Sequence, residues 1–329
     1  MHENLVGALI EIGISVPGEM ENLAHCVSPT GALLTNVGAG HLEALGSIEG
    51  VLIEKTKLFL GLPEGGSIFV NADDSRISNW VEGDSRDMDF IRYSLKNPNL
   101  DCGIENLTWN DGAWNFTIVF NRDLMGEKQR CDVRLPLWGK HNVMNALAAA
   151  TVARYFFGIS SDKIVEGLSN PKITYDRTEV FEGKTPSGKT VLAVNDTYNA
   201  NPESMRALLD SAMDLIQSAE HRGKNAVLVF ADMLELGAAE VEMHKDIGKL
   251  VSDSKIDTMI TFGEMAKHSL GAASGISQDR RLPANTLDEV FENLKTVLNS
   301  ASDGSLVFLK GSNSMELDKV AAKLKEWLQ

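Results

Sequence analysis

The second half of the chain alternates short apolar runs with amphipathic segments, and this alternation limits the possible folds more than any other feature. The runs have the length and the β-branched content of strands that are buried on both faces. They lie at residues 190–194, 226–230, 258–262 and 306–309. Between them, apolar residues recur at helical spacing. Strands and helices in this order form βαβ units, so the sequence predicts a mostly parallel, doubly wound sheet of the Rossmann-like type.

Two of the intervening helices have recognisable first turns. Asn201 followed by Pro202 is typical of a helix cap and first helical position, and apolar side chains then share one face through residue 216. Thr286 and Glu289 have the spacing of a capping box. The sequence therefore predicts helices over residues 202–216 and from Thr286 onward.

The first half begins with the same pattern and then changes. Strands are predicted at residues 8–12 and 32–37, while residues 87–134 alternate apolar and polar side chains around an Asn110-Asp111-Gly112 turn. We interpret this as a small antiparallel sheet added to a parallel one. An alanine-rich helix is predicted over residues 143–157, with Asn142 as its cap and Gly158 at its end.

Length, charge and cysteine content narrow the class of protein. A chain of 329 residues suggests two domains of roughly 150 residues, and we place them at residues 1–173 and 174–329. The 31 basic and 46 acidic residues give a net charge of −15, which argues against nucleic-acid binding because a polyanion requires a basic face. We expect no membrane span, since no apolar run approaches ~18 residues. The three cysteines fit a reducing, cytoplasmic compartment.

Residues 183–190 match the phosphate-loop pattern G-x-x-x-x-G-K-[ST] letter for letter. A phosphate loop connects a strand to a helix, because the free amides of the helix N-terminus hold the phosphates. Here both flanking segments are predicted strands. We therefore interpret Gly183 to Thr190 as a hairpin turn and not as a nucleotide site.

Two side chains in the first half are candidates for a cation site. Glu11 interrupts an apolar run, where an unpaired buried carboxylate would cost several kcal/mol. His41 follows the next predicted strand, which would place both residues at the same rim of the sheet. Together they suit a divalent cation that also holds nucleotide phosphates. The alternatives are a solvent-facing edge position for Glu11 and a capping or packing role for His41.

Polar segments also follow two strands of the second half. Asp196 ends one strand and precedes a helix, and Lys310 begins a polar segment that extends through Ser312 to Ser314. Both would open on the rim where doubly wound domains bind ligands. The alternative for each is a polar turn with a helix cap.

Taken together, these segments resemble the Mur ligase family, and most closely its D-alanyl-D-alanine-adding members. The resemblance runs in the same order over almost the whole chain. The matching strings are Ile10-Glu11-Ile12-Gly13, Asn36-Val37-Gly38-Ala39-Gly40-His41-Leu42-Glu43, Gly139-Lys140-His141-Asn142-Val143-Met144-Asn145, Asp196-Thr197-Tyr198-Asn199-Ala200-Asn201-Pro202, Asp232-Met233-Leu234-Glu235-Leu236-Gly237 and Lys310-Gly311-Ser312.

The resemblance implies a central ATP-binding domain followed by a C-terminal Rossmann-like domain, and an ATP-dependent reaction that uses Mg²⁺. In that reaction ATP phosphorylates the carboxylate of a UDP-N-acetylmuramoyl tripeptide, and the amine of D-alanyl-D-alanine attacks the acyl phosphate. By position, Glu11 would bind one magnesium ion and His41 a second, supported by a carbamylated Lys55. A monomer is expected.

The resemblance also implies roles for residues that contact the substrates. Asn142 and Asn145 would contact adenine, while Arg177 and Asp196 would approach the phosphates and ribose. The incoming dipeptide would meet residues of the second domain, namely Tyr198, Asn199, Asn201, Lys310 and Ser312. His141 belongs to the same wall or packs at the start of its helix.

The sequence departs from the family pattern at its beginning. Family members carry a domain for the UDP-linked substrate, then a Gly-Lys-Thr phosphate loop, before the segment that corresponds to Glu11. We therefore expect a truncated ligase with little activity alone, because that loop neutralises the β- and γ-phosphates. A smaller departure is Asn195, where an aspartate is common. Two other interpretations remain open: a non-catalytic module that binds a nucleotide or a partner, and a kinase or ATPase that uses residues 183–190.

Overall fold

The computed structural model describes residues 7–84, 88–122, 129–172, 178–218, 220–302 and 304–329. The chain divides into two compact units, with the division between Pro171 and Lys172. Each unit contains one six-stranded sheet. None of the helices in the described ranges is long and apolar enough to cross a membrane.

The first unit is built on a single mixed sheet. Its strands are β1 (Gly31–Leu34), β2 (Ser67–Asn71), β3 (Phe90–Ser94), β4 (Cys102–Asn110), β5 (Ala113–Phe120) and β6 (Gln129–Leu135). They lie in chain order: β1 to β4 are parallel, and β5 and β6 continue the sheet antiparallel. The predicted addition of antiparallel strands to a parallel sheet is confirmed. β3, however, belongs to the parallel part.

The helices of the first unit pack on this sheet. They are α1 (Glu19–Val27), α2 (Leu42–Leu45), α3 (Ile48–Thr56), α4 (Ser75–Gly83), α5 (Lys140–Tyr155) and α6 (Ser161–Ser169). The buried face of α5, with Val143 and Leu147 at its centre, packs with Tyr93, Phe116 and Ile118 of the sheet. Burial of this apolar stripe stabilises the packing of α5 against the sheet.

The predicted cap of α5 is wrong. The helix begins at Lys140, after Gly139 at φ 93°, so Asn142 lies in the first turn and its amide donates to the Trp138 carbonyl at 2.8 Å. Glycine reaches this positive φ without the steric cost that a side chain would impose. The chain therefore enters the helix earlier than a polar cap would indicate. Gly158, at φ 65°, follows the end of α5 as predicted.

The strand predicted at residues 8–12 is also wrong. This segment is irregular, with Leu9 84% and Ile10 55% exposed. β1 stands at the edge of the sheet, and no strand in the described part of the chain pairs with its outer side. Residues 8–12 do not pair with that open edge, and an apolar run that makes no ladder hydrogen bonds is not a strand. Ile14 nevertheless enters the core. The strand predicted at residues 32–37 is present as the shorter β1.

The second unit has the predicted doubly wound sheet. Its strands are β7 (Glu179–Lys184), β8 (Thr190–Asp196), β9 (Asn225–Ala231), β10 (Thr258–Phe262), β11 (Arg281–Ala284) and β12 (Ser305–Lys310), in the order β11-β10-β9-β12-β8-β7. All neighbours are parallel except β7, which pairs antiparallel with β8. All four strands predicted in this half are confirmed.

Helices on the second sheet also follow the sequence pattern. They are α7 (Pro202–Gln217), α8 (Glu240–Ser252), α9 (Ala266–Ala272), α10 (Leu287–Ser300) and α11 (Asp318–Trp327). Asn201 caps α7 by accepting from the Ser204 amide at 2.8 Å, and Thr286 caps α10 by accepting from the Glu289 amide at 3.1 Å. These contacts satisfy amide groups that the helices leave free at their first turns.

Residues 183–190 form the hairpin between β7 and β8. Lys184 pairs with Thr190 in antiparallel register, and the Thr185 amide donates to the Lys189 carbonyl at 2.9 Å. The Lys189 ammonium donates to the Asn299 carbonyl. The hairpin prediction is confirmed, and no helix N-terminus follows these residues to hold a phosphate.

Candidate functional site

A buried ion pair marks the carboxyl ends of two neighbouring strands in the second unit. Lys310 ends β12, Asp196 ends β8, and the two residues are register partners. The Lys310 ammonium donates to Asp196 Oδ2 at 2.6 Å and to the Asn199 carbonyl at 2.8 Å. Lys310 is only 2% exposed, whereas the Asp196 side chain is 15% exposed. The sequence predicted both residues at this rim, and the structure joins them.

In the segment after β8, one side chain is exposed and others make hydrogen bonds within the turn. Tyr198 is 43% exposed, so its ring is accessible to a ligand. The Asn199 side chain accepts from the Ala200 amide at 2.8 Å, and Asn201 caps α7. The Asn195 carbonyl oxygen of the side chain accepts from Thr197 Oγ1 at 2.7 Å. Asn195, Asn199 and Asn201 therefore shape the turn with their side-chain oxygens.

Ser312 links the segment after β12 to the segment after β9. Its amide donates to the Asp232 carbonyl at 3.1 Å, and its hydroxyl accepts from the Leu234 amide at 2.9 Å. Asp232 in turn accepts from the Ala266 amide, at the start of α9, at 2.6 Å. Sequence analysis did not select Asp232 as a site residue, although an acidic residue directly after an apolar run was the available signal.

Three residues predicted for cation binding lie in the first unit. Glu11 is exposed in the irregular segment before α1, and His41 lies at φ 56° immediately before α2. The Lys55 ammonium donates to the Asn36 carbonyl at 3.0 Å. Glu19, the first residue of α1, is an acidic side chain in the same unit. The pKa of Glu19 lies below its ordinary value, chiefly because its carboxylate accepts from the Ser15 and Val16 amides.

A buried carboxylate beside Lys55 was missed. Glu54 is 3% exposed, and its Oε1 accepts from the Gly18 amide at 2.8 Å and the Met20 amide at 3.0 Å. Its Oε2 accepts from the Lys57 ammonium at 2.7 Å. Burial acts to raise the pKa of Glu54, but these hydrogen bonds together lower it below its ordinary value. The Glu54 carboxylate thus fastens the start of α1 to α3.

Two adjacent carboxylates tie together the loops that follow β1, β2 and β3. Asp74 caps α4 and accepts from the Val37 amide at 2.8 Å, while Asp73 accepts from the Leu95 amide at 2.8 Å and from the Ser94 hydroxyl. Sequence analysis overlooked both residues, although they follow the apolar run at residues 68–70. They fix the rim near His41 but are occupied by protein hydrogen bonds.

The residues predicted to contact nucleotide lie in different surroundings. Asn142 is half-buried in the first turn of α5, and Asn145 is exposed one turn later. His141 is half-buried next to Asn142. Arg177 lies outside the described residues.

The donors of the first unit fit a magnesium ion that is shared with phosphates. Within the described ranges, no group of three or more His, Cys, Asp or Glu side chains is arranged to hold a metal. Mg²⁺ usually takes one or two protein ligands together with water and substrate phosphates. A single exposed carboxylate such as Glu11 meets that requirement in chemical type, and His41 lies in the same unit, immediately before α2.

Two family models match the chain, one to each unit. The Mur ligase middle domain matches residues 1–153, and the Mur ligase, glutamate ligase domain matches residues 176–313. Among curated relatives, the UDP-N-acetylmuramoyl-tripeptide--D-alanyl-D-alanine ligase of Bacillus subtilis is 34% identical over 99% of the chain. The enzyme of the same name from Escherichia coli is 32% identical over 97%. The chain spans 66% and 65% of the length of these two relatives.

Solved structures with the same arrangement of elements include two MurF proteins. MurF from Acinetobacter baumannii superimposes with a TM-score of 0.80 at 25% identity, covering 96% of this chain and 64% of that one. MurF ligase from Thermotoga maritima, solved in complex with ADP, gives a TM-score of 0.77 at 21% identity, with coverage of 95% and 65%. The second likeness concerns the fold alone.

Proposed function

The chain belongs to the Mur ligase family, and we propose that it is part of an ATP-dependent ligase that adds D-alanyl-D-alanine to a UDP-N-acetylmuramoyl tripeptide. The observation that carries this proposal is that curated relatives aligned over 97–99% of the chain bear that activity in their names. We assign residues 1–173 to the ATP-binding domain and residues 174–329 to the C-terminal domain.

The proposed reaction has two steps. The γ-phosphoryl group of ATP is transferred to the tripeptide carboxylate, which releases ADP and forms an acyl phosphate. The amine of D-alanyl-D-alanine then attacks the acyl carbon, an amide bond forms, and phosphate and a proton leave. Phosphate departs far more readily than hydroxide, so transfer of the γ-phosphoryl group to the carboxylate couples the cleavage of ATP to the formation of the amide.

In the first unit we assign Glu11, His41 and Lys55 to magnesium. Glu11 would bind one magnesium ion and His41 a second, and Lys55 would support the second ion after carbamylation. When bound, Mg²⁺ supplies charge neutralisation at the transferring phosphoryl group. Glu54 positions this region, because its contacts with Gly18 and Met20 attach α1 to the helix that carries Lys55.

In the second unit we assign the strand-end rim to the incoming dipeptide. Lys310 and Ser312 would form part of its pocket, and Tyr198 offers an exposed ring for its methyl groups. Asn199 anchors Lys310 through its carbonyl, and Asn201 fixes the turn that carries Tyr198. Asp196, and Arg177 beyond the described residues, are assigned to the nucleotide.

A turnover assay tests the proposed reaction. The chain is incubated with ATP, Mg²⁺, UDP-N-acetylmuramoyl tripeptide and D-alanyl-D-alanine, and the amide product and phosphate are quantified by mass spectrometry and colorimetry. We expect little turnover, with product and phosphate in equal amounts and only when all four components are present. Rapid turnover would contradict the requirement for a Gly-Lys-Thr phosphate loop, and phosphate release without amide would contradict the ligase assignment.

The alternative proposal is a non-catalytic module that binds a nucleotide or a partner. The observation that bears on it is the hairpin at residues 183–190, because this stretch matches the phosphate-loop pattern without forming a phosphate loop. Nucleotide binding without any affinity for D-alanyl-D-alanine would support the module over the ligase.

Two alanine substitutions test whether nucleotide binds at the residues assigned to adenine or at the hairpin of residues 183–190. We expect N145A to weaken binding of Mg-ATP about tenfold, as for the loss of one or two hydrogen bonds, because Asn145 is exposed and assigned to adenine. We expect K189A to leave the affinity unchanged, since Lys189 lies at the hairpin. Isothermal titration calorimetry measures both, and a loss of affinity in K189A would contradict the conclusion that residues 183–190 are not a nucleotide site.

A further inference from the structure

A fully buried histidine stands behind the rim of the second unit. His244 lies on α8, is 0% exposed, and packs against the Phe230 ring at 5.7 Å between centroids. Both of its ring nitrogens are engaged with backbone groups. Nε2 is 3.0 Å from the Met233 amide, and Nδ1 is 2.7 Å from the Glu240 carbonyl.

These two contacts fix the protonation state of the ring. The Met233 N–H is a donor, so Nε2 accepts and carries no proton. The Glu240 carbonyl is an acceptor, so Nδ1 donates and carries the proton. His244 is therefore neutral in its Nδ1–H form, and a second proton on Nε2 would oppose the Met233 N–H.

The group held by Nε2 belongs to the segment at residues 232–236, which follows β9 and is called the rim loop here. Asp232 and Ser312 hold this loop from its other sides: Asp232 bonds to the Ala266 amide, and the Ser312 hydroxyl accepts from the Leu234 amide. Leu234 is 37% exposed, and Glu235 has the uncommon φ of 63°. A left-handed backbone at a residue with a side chain persists only where neighbouring contacts enforce it.

We propose that His244 is a positioning residue: its neutral Nδ1–H form holds the rim loop in place, and protonation of the ring releases the loop. We call this arrangement the latch, and it is inferred from the contacts of the two ring nitrogens with backbone groups alone. Its effect on the dipeptide rests on the proposed function, because Leu234 and Ser312 then belong to the wall that receives D-alanyl-D-alanine. The latch would make dipeptide affinity fall as the pH drops through the pKa of His244.

Burial and the groups around the ring shift the pKa of His244 in opposite directions. Burial lowers the pKa of His244 below its ordinary value of 6.5, and His268 of α9 acts in the same direction. The Glu240 carbonyl and the carboxylates of Asp232 and Glu240 act to raise it. Burial prevails, so the ring is neutral at pH 7 and the loop is held.

Two substitutions separate the acceptor role from a packing role. H244Q places an amide oxygen where Nε2 accepts from Met233, whereas H244N reaches only the position of Nδ1 and leaves the Met233 amide without an acceptor. Both remove the titrating ring. Asparagine is one methylene shorter, so if packing alone mattered the loss in H244N would be spread over the neighbours of the ring and would not be concentrated at the Met233 amide.

The first measurement is NMR spectroscopy of the full chain labelled with ¹⁵N at histidine, methionine and leucine, with H244Q used to assign the ring. We expect the Nδ1–H form at pH 7.5, and below the pKa of His244 a joint shift of its ring nitrogens and the Met233 and Leu234 amides. The two amides should stop titrating in H244Q, and their hydrogen exchange should stay slow there but accelerate in H244N. A ring that carries its proton on Nε2 at pH 7.5 would overturn the latch. So would Met233 and Leu234 amide signals that do not shift when the His244 ring titrates.

The second measurement is D-alanyl-D-alanine affinity as a function of pH. As the pH is lowered through the titration of His244, we expect the dipeptide affinity of the wild type to fall about threefold to tenfold, equivalent to the loss of one hydrogen bond. We expect the dipeptide affinity of H244Q not to change with pH. Titrating amides with no measurable dipeptide binding at any pH would leave the latch standing and contradict the proposed function. Dipeptide affinity that is equally pH-dependent in wild type and H244Q would overturn the link between the latch and the site.

Discussion

K310M is expected to lower the free energy of unfolding of the second unit by about 3 kcal/mol, the scale of breaking a buried ion pair. Lys310 is 2% exposed and bonded to Asp196 and to the Asn199 carbonyl. Methionine fills similar volume but leaves the carboxylate and the carbonyl without their donor. Urea unfolding, followed by amide hydrogen exchange over residues 178–329, measures the loss.

Two controls isolate the cause of the K310M effect. K319A removes an exposed lysine whose ion pair with Glu316 is open to solvent, and it should leave stability unchanged within error. The double variant D196N/K310M should cost less than the sum of the single variants, because it leaves no unpaired charge. Additive losses would show that Lys310 and Asp196 do not act as a pair.

E54A is expected to destabilise the first unit by about 3 kcal/mol, the scale of leaving buried donors unsatisfied. The Gly18 and Met20 amides share one carboxylate oxygen of Glu54, and the Lys57 ammonium uses the other. Alanine removes all three contacts and detaches α1 from α3. Urea unfolding, followed by hydrogen exchange over residues 7–172, reports the change.

E54Q is the matched control for E54A. Glutamine keeps the oxygen that accepts from Gly18 and Met20 but loses the charge opposite Lys57, whose side chain is 28% exposed. The expected loss is about 1 kcal/mol, as for a single partly exposed pair. Equal losses in E54A and E54Q would mean that the ion pair with Lys57, and not the contacts with the α1 amides, carries the stabilisation by Glu54.

The lowered pKa of Glu54 also gives its stabilisation a pH dependence. The folded pKa lies below the ordinary value of 4.5, so the contribution is complete above that value and is lost as the pH falls through the folded pKa. Wild type should therefore lose more stability on acidification than E54Q does. Parallel pH profiles for the two proteins would contradict this assignment.

The strands of the second unit were predictable because they are buried on both faces. The sequences of such strands are continuous apolar runs. The strand Thr258–Phe262, for example, coincides with its predicted range. The same rule failed at residues 8–12, because an apolar run does not reveal whether a neighbouring strand is present to pair with it. Pairing, not hydrophobicity, decides whether an edge segment becomes a strand.

The candidate site was predictable in its residues but not in its contacts. Lys310 and Asp196 were selected from their places after apolar runs, yet their pairing depends on the register of β12 and β8, which are far apart in sequence. Glu54 was missed because it opens the polar stretch that continues with Lys55, Thr56 and Lys57, which resembles an exposed helix surface. His244 was missed because a single histidine in an amphipathic helix gives no sign of its burial.

The most direct test of the proposed function is stereospecific binding of D-alanyl-D-alanine at the rim of the second unit. The chain, with saturating Mg²⁺ and a non-hydrolysable ATP analogue, is titrated with D-alanyl-D-alanine and, as a control, with L-alanyl-L-alanine, while the ¹⁵N amide signals of leucine and serine are followed. The proposal predicts saturable shifts of Leu234 and Ser312 with the D,D dipeptide only. Equal shifts with both dipeptides, or none at these two residues, would contradict it.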